Sequence, residues 1–545
     1  MPAKEKWWDT VIKSYVANYY QTYEQAKKDS SRVISSPSGG RKGAFIWGDR
    51  LRVLETRDGA KKVSGRNVEF WVNDRHLGGE TLLEVYVIDV GQGDGLLIVT
   101  PDGHNIMVDG GNIRSFQNGG KNAADFVDWK FFKDYVSLSD REDPEKTKVQ
   151  LDAMIATHND IDHFGGVFDL INRTEKNQAE LDSNEVTAEK FYHAGLSWWF
   201  NGRTSNGGNK RSLGTIQDGF YTKLLGNRNS ARDAVLNLEN PDFNTLNGTW
   251  GQFIKSVTQL KRKSGSPTSI TRLSSSTHDY LPGFEPSDGK CSIRVLGPIG
   301  DSVNNQPALK RFKDGDSKNT NGHSIVLRLD YGERRILLTG DLNTHSQNYI
   351  MNHYGARFVK EFKSDVAKGC HHGSHDVSYR FLQGLRPLCT VISSGDAETH
   401  DHPRPTIIAA SSITGRQLID FENDSLICPL IYITEVARSV EISKIGQMKE
   451  YSNPQPEYEA IDTGRALKNH DTKNEKSHFR LFLGTSQSSG LHKPRLDKAK
   501  VVRGLRYGLI NIRTDGKKLF FAQLEESGQD WAYNVLTEEQ ISRAK

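Results

Sequence analysis

THNDIDHFGG, Thr157 to Gly166, decides how this chain is read. His158, Asp160, Asp162 and His163 crowd into this short loop, which follows the apolar run LDAMIAT and ends in a glycine pair. Ligands at i and i+2 can serve one ion, while those at i+4 and i+5 turn toward a second. A mixed set of imidazoles and carboxylates suits Zn²⁺, Mn²⁺ or Fe rather than Ca²⁺. Taken alone, such a loop could equally be an exposed polar turn.

Two further stretches repeat the design of a strand ending in a ligand-bearing loop. RILLTGDL delivers Asp341 after an apolar run, and VAKGCHHGSHD carries His371 and His372 side by side. Asp341 would arrive from its own strand and could bridge two ions. Two ions roughly 3.5–4 Å apart would generate a hydroxide at neutral pH and hold both oxygens of an in-line displacement. Three strand-end clusters in this order are hard to explain as polar turns.

The rest of the chain frames this centre. With 545 residues, 35% hydrophobic and 26% charged, it has room for a large core and more than one domain. No apolar run approaches the ~20 residues that span a bilayer, and the start, MPAKEKWWDT, has no apolar stretch of the signal-peptide kind. Cys291, Cys370, Cys389 and Cys428 are scattered without a CxxC pair, so buried thiols and a cytoplasmic setting are expected. The net charge of +4 excludes nothing in a chain of this size.

Trp8, Val11, Ile12, Tyr15, Tyr19 and Tyr23 recur at spacings of three and four, which predicts a helix within residues 1–29 and an aromatic docking face. Residues 44–80 carry short β-like runs and are read as a small module of the SH3 type. From Leu82, the runs LLEVYVIDV, GLLIVT and NIMVDGG open a domain reaching residue 545. Strand runs interleaved with helices, in two series around a long insertion, suggest a layered α/β sandwich. The insertion is set at about 172–290 and a second at about 448–478. Between Asn201 and Ser275 the first holds 11 Lys/Arg against 4 Asp/Glu, with Trp198, Trp199, Phe200, Phe220, Tyr221, Trp250 and Phe253 in or beside that span. Cations interleaved with aromatics can bind nucleic acid by phosphate neutralisation and base stacking; the plainer reading is a solvated insertion with its own small core.

At these residues the chain resembles the metallo-β-lactamase-fold hydrolases. Within them it is most similar to the nuclease domain attached to bacterial competence DNA-uptake channels, the ComEC type. DVGQGDGLLI, IMVDGG, THNDIDHFGG, NGHSIVLRL, LLTGDL, KGCHHGS and SSGDAETHDHPRP all match, in the family's order, between about Leu82 and Asn534. The resemblance implies a four-layer αββα sandwich and two divalent ions, Zn²⁺ or Mn²⁺. His158 and Asp160 would hold one ion and Asp162, His163 and His371 the other, with Asp341 bridging. His372 could replace His371. Asp160 stands where many members have histidine, which matches this subgroup. His193 is the nearest candidate for a third histidine on the first ion, or else a hydrogen-bonded histidine at the base of the insertion.

Other roles follow from the same resemblance. Asp162 and His402 form the catalytic group, His402 as a donor toward substrate or leaving group. Arg404 stands where the family often has a second histidine. Asp109 would orient a ligand, Gln92 and Asp94 would lie at the rim, and Ser374 and His323 are neighbours of the site. Cys370 is read as a structural thiol. The implied activity is phosphodiester hydrolysis, foremost of a nucleic acid. Small phosphodiesters such as phosphocholine esters and cyclic nucleotides, or esters, thioesters and lactones, are alternatives, as is a non-catalytic sensor. A protein partner could dock on the N-terminal helix or the insertions. No membrane segment is expected, so the resemblance does not extend to DNA import.

Overall fold

The computed structural model describes residues 4, 6–29, 41–117, 121–174, 179–395, 402–434, 509–524 and 531–545. Two sheets lie face to face, each with helices on its outer side. The first has nine strands in the order Ser269–Arg272, Lys190–His193, Ala153–Ala156, Asn105–Asp109, Gly95–Val99, Leu83–Val87, Ile510–Thr514, Leu519–Leu524 and Trp531–Leu536. The second has six: Ser292–Gly297, Val326–Tyr331, Arg334–Leu338, Val366–Lys368, Cys389–Ile392 and Leu430–Ile433.

Period-two alternation explains why both faces of these strands are apolar. Val85, Val87, Leu96, Ile98, Ile106, Val108 and Ile155 point into the space between the sheets, where Ile293, Val295, Leu327, Leu329, Ile336 and Val391 meet them. Their neighbours Tyr86, Leu97, Met107 and Met154 point outward, under the helices Ala123–Trp129, Ile161–Ile171 and Gly248–Gln259. On the far side Val326, Leu337, Ala367 and Ile392 pack beneath Thr344–Tyr354, Phe358–Phe362, Tyr379–Leu385 and Pro405–Thr414. The result is the expected αββα sandwich.

The N-terminal region departs from expectation. Where the aromatic spacing predicts a helix, Thr10–Val11 and Val16–Tyr20 are strands, and only Tyr23–Lys27 is helical. Valines, isoleucine and tyrosines fit a pleated surface better than a helix, and tertiary pairing overrides the chance spacing. These two strands complete a six-stranded sheet with Arg41–Ile46, Arg50–Arg57, Ala60–Gly65 and Val68–Asn73, so the β module starts near residue 10 rather than 44. It caps the outer face of the C-terminal strands, where Ile46, Trp47 and Leu82 pack on Phe520 and Ala522.

The long insertion is also smaller than expected. Lys190–His193 and Ser269–Arg272 pair in parallel with the main sheet, which confines the excursion to residues between them. These strands are four residues each and carry charged ends, so they give little periodic signal. Most of the excursion's aromatics fill the core: Trp198, Trp199, Phe200, Tyr221, Trp250 and Phe253 are buried, while Phe220 is half-buried and Phe243 exposed. The proposed second insertion lies outside the described residues. All four cysteines are buried and free, and among the described residues no helix is long and apolar enough to cross a membrane.

A buried ion network fastens the N-terminal module to the sandwich. Arg513, on strand Ile510–Thr514, reaches Asp49 at 2.8 Å and Glu84 at 3.5 Å and donates to the Trp47 carbonyl at 2.6 Å. Replacing Arg513 by methionine takes from two buried carboxylates the cation they share, leaving Arg66 on Asp49 and Arg50 on Glu84. Breaking a buried pair this way costs about 3–5 kcal/mol. Urea unfolding of Arg513→Met should show that loss; a change below about 1 kcal/mol would mean that the network is solvated.

Candidate metal centre

The site forms where both sheets present the ends of their strands. Asp109 closes strand Asn105–Asp109 in a left-handed conformation, φ 55°. Such strain in a non-glycine residue costs on the order of 1–3 kcal/mol, and its hydrogen bonds oppose it. Asp109 accepts from the Thr157 amide at 2.8 Å, from the Thr157 hydroxyl at 2.6 Å and from His163 Nδ1 at 2.8 Å. It therefore fixes both ends of the THNDIDH loop and turns His163 Nε2 inward.

Glycines allow the loop to seat this closely. A Cβ on Gly166 would stand 2.0 Å from the Gly110 carbonyl oxygen, and one on Gly93 would stand 2.2 Å from the carbonyl oxygen of Asp162. The glycine pair ending THNDIDHFGG thus lets helix Ile161–Ile171 rest directly on the backbone after Asp109.

His372 repeats the arrangement from the second sheet. Its Nδ1 lies 3.2 Å from Asp94 Oδ1 and 3.2 Å from the Ser393 carbonyl oxygen. Its Nε2 lies 2.9 Å from Asp341 Oδ2 and 3.1 Å from His163 Nε2. His163 Nε2 is itself 3.2 Å from Asp341 Oδ2, and Asp162 Oδ2 stands 3.6 Å from His372 Nε2. Two imidazoles, each backed by a carboxylate, converge on a third carboxylate. Asp94, His163, Asp341 and His372 offer donor atoms all within 4.8 Å of one another, and all four residues are buried.

Beside this group stand His158 and Asp160. His158 Nδ1 lies 3.1 Å from the Thr157 hydroxyl and 3.3 Å from that of Ser324, while its buried Nε2 has no hydrogen-bond partner. That Nε2 is 3.9 Å from Asp160 Oδ2. Asp160 is held by the Thr320 hydroxyl at 3.0 Å and, with the Asn321 amide oriented to satisfy its neighbours, by Asn321 at 2.9 Å. The unpartnered imidazole nitrogen and the converging Nε2 atoms are what a metal would complete, so the residues present fit a divalent ion.

The structure separates the remaining candidates. His371 and His372 both have left-handed backbone, φ 48° and 52°. This turn sends His372 into the cluster and leaves His371 at its mouth, Nε2 3.1 Å from Asn321 and 3.8 Å from Asp341. Of the two histidines, His372 therefore joins Asp94, His163 and Asp341 in the donor group, while His371 stands beside Asn321. His402 stands at the rim, its ring centroid 5.6 Å from that of His371. Gln92 is buried, and Ser374 accepts from the Asp376 amide at 3.3 Å.

His193 and His323 point elsewhere: their Nε2 atoms lie 3.0 Å from the Gly226 and 2.7 Å from the Lys310 carbonyl oxygens. Burial holds both well below the usual imidazole range, at about 4. Cys370 is buried, its thiol pushed up to about 11 by that burial. Asp94, expected at the rim, is instead inside the donor group.

Lys368 is the residue that sequence reasoning missed. Its buried ammonium lies 2.6 Å from Asp94 Oδ2 and 3.8 Å from Asp341 Oδ1. A lysine ending the apolar strand VAK was the available signal, since a buried lysine requires a buried acid.

Electrostatics suit cation binding. Burial pushes the Asp341 carboxyl up, and the His163, His372 and His371 imidazoles more than offset it, holding it well below the usual carboxylate range. Burial works against protonated His372, but Asp341 and Asp94 together raise it to about 9. Its place in the cleft and the Asp162 charge push Asp160 up to about 7.

These features define a candidate metal centre at the strand ends of an αββα sandwich. A family model of the metallo-beta-lactamase superfamily matches residues 88–198 of this chain. It is similar to ComE operon protein 3 of Bacillus subtilis (strain 168), 32% identical over 94 residues, 17% of this chain and 12% of that protein. It is also similar to competence protein ComA of Neisseria gonorrhoeae, 36% identical over 88 residues, 16% of this chain and 12% of that one. The matched stretch thus spans about an eighth of each relative's length. Among solved structures, Tm1679, a metal-dependent hydrolase of the beta-lactamase superfamily, aligns at TM-score 0.26 and 10% identity, covering 64% of this chain and 95% of its own.

Two outcomes are expected. Asp109→Ala releases the His163 ring and should weaken Zn²⁺ or Mn²⁺ binding by about 10–100-fold in a chelator competition; unchanged affinity would remove Asp109 from the site. Asp160 and His372 must each lose a proton to serve as ligands. Affinity should therefore rise from about pH 6 through about pH 9, with protons released on metal uptake. A flat profile would mean that neither group ligates.

Proposed function

We propose that the protein is a metal-dependent phosphodiester hydrolase, foremost a nuclease. The observation that carries this reading is the complete, buried, carboxylate-rich donor set. His163, His372, Asp341 and Asp94 are drawn together, and the unpartnered Nε2 of His158 stands beside them. A degenerate scaffold would have lost such costly groups. The competence-protein likeness, through the motifs that meet at this site, supports a polynucleotide as substrate.

When bound, a pair of divalent ions supplies Lewis-acid stabilisation of the phosphoryl charge and an acidified water. The chain's own residues do the rest. Asp109 and Asp94 hold the His163 and His372 rings in orientation, and Thr320 and Asn321 hold Asp160 at the mouth. Asp162 keeps a partly exposed carboxylate, 26% accessible, where an attacking water would shed its proton. His402, at the rim, gives a proton to the leaving oxygen. Water adds to phosphorus, the P–O bond opposite it breaks, and Asp162 and His402 balance the protons.

Metal analysis of the protein as purified, together with Zn²⁺- and Mn²⁺-loaded assays on DNA, RNA and bis-p-nitrophenyl phosphate, tests the proposal. Chelator-sensitive polynucleotide cleavage is expected, with a loss of about 10³-fold or more in Asp341→Ala. Turnover of the small diester alone would move the assignment to small phosphodiesters. Protein that takes up no metal would leave a binding scaffold.

A further inference from the structure

The excursion between Lys190–His193 and Ser269–Arg272 contains an antiparallel hairpin, Trp199–Arg203 paired with Asn209–Ser212. Its root is fastened to the metal loop. Trp198 donates its indole N–H to the carbonyl of Asn159, at 3.1 Å, and Asn159 lies between His158 and Asp160. Across the excursion, Asn247 donates to the Lys210 carbonyl at 2.8 Å and Phe200 N–H to that of Thr245 at 2.9 Å.

The hairpin beyond this root is cationic and unpaired. Residues 201–217 contain Arg203, Lys210 and Arg211 and no acid. All three cations are exposed, and among the described residues none has a carboxylate in ion-pair reach. Some cations elsewhere on the surface are paired, as in Lys133–Asp182, Lys146–Asp140 and Lys148–Glu145, but what sets the hairpin apart is three of them on a short ribbon without an acid.

Register and a ring contact link the arginines to the root that holds the metal loop. Arg211 pairs with Phe200, and alternation puts Trp198 on that same face. The Arg211 guanidinium accordingly sits 3.9 Å from the centroid of the Trp198 ring, the ring that holds the metal loop. A bulge between Phe200 and Arg203 brings Arg203 opposite Asn209, two positions along from Arg211. Two strand residues advance about 6.8 Å, on the order of the phosphate repeat in an extended single strand. A fork-shaped guanidinium suits phosphate oxygens.

We propose that this hairpin is a phosphate clamp. Arg211, Arg203 and Lys210 bind the backbone of a polynucleotide strand beside the scissile phosphate. The clamp rests on the nuclease reading for its substrate, yet it makes a binding claim that can be read without catalysis.

The test uses the full chain with Asp341→Ala, in chelator, so that no cleavage intervenes. Anisotropy of a fluorescent single-stranded DNA oligonucleotide is measured against salt for three proteins. One is the parent, one adds Arg203→Gln, Lys210→Gln and Arg211→Gln, and one adds Arg357→Gln, Lys360→Gln and Lys363→Gln on the outer helices of the six-stranded sheet. The hairpin variant should bind at least tenfold more weakly, and its log Kd–log salt slope should fall by about two, for three lost phosphate contacts. The control should bind like the parent, and unchanged thermal unfolding of all three shows that folding is intact. Equal binding by hairpin variant and parent, equal loss in the control, or no binding by the parent would each overturn the clamp. Binding lost with the hairpin, from an enzyme that cleaves no polynucleotide, would keep the clamp and sink the nuclease reading.

Discussion

Two imidazole nitrogens, His163 Nε2 and His372 Nε2, are held 3.1 Å apart with Asp341 beside both. The arrangement is unfavourable by itself: buried donor atoms are aimed at a common point and deprived of water. It persists because each ring is fixed from behind, His163 by Asp109 and His372 by Asp94. Carboxylates behind the rings set their orientation and raise their basicity toward a metal. Those carboxylates create a debt of negative charge, which Lys368 reduces by reaching Asp94 and Asp341 together. A cation in front of the rings would satisfy the rest.

Such convergence demands backbone that ordinary strand ends do not supply. Asp109, His371 and His372 all adopt left-handed φ values, and glycines stand where helix Ile161–Ile171 meets the strand before it. Strain of this kind survives only where surrounding contacts over-determine it. Here the two sheets are those surroundings. Their shared interior brings Asp109 and Asp341 in from opposite sides, so the site's precision derives from a core that contains none of its chemistry.

Much of this was legible in the sequence, because ligand chemistry leaves dense local marks. The THNDIDHFGG loop, Asp341 and the HH pair could be placed at strand ends, and the sandwich followed from the apolar runs between them. The choice between His371 and His372 was not legible, since it depends on two consecutive left-handed residues that no propensity announces. Asp94 looked peripheral because its partner, Lys368, lies far away along the chain. The N-terminal aromatics misled for a different reason: spacings of three and four among β-favouring residues mimic a helix, and only pairing with the strands at Arg41–Ile46 and Arg50–Arg57 decides. Lys190–His193 and Ser269–Arg272 were hidden because a four-residue strand has too few positions to show a period.

The excursion shows how burial redistributes function within one segment. Its aromatics and its cations alternate in sequence, which on paper suits base stacking and phosphate contact alike. Folding separates them: Trp198, Trp199, Trp250 and Phe253 enter the core, while Arg203, Lys210 and Arg211 stay outside. Stacking on exposed rings, worth about 1–3 kcal/mol per base, is thereby left along this segment to Phe243 and the half-buried Phe220. What remains there is charge on a short, well-anchored ribbon. Phosphate contacts position a strand without reading its bases, so any preference among sequences would have to arise at the metal centre or in the conformation of the strand itself. Trp198 joins the two halves of this division. Its ring lies in the core, its N–H holds the metal loop, and its face carries the arginine.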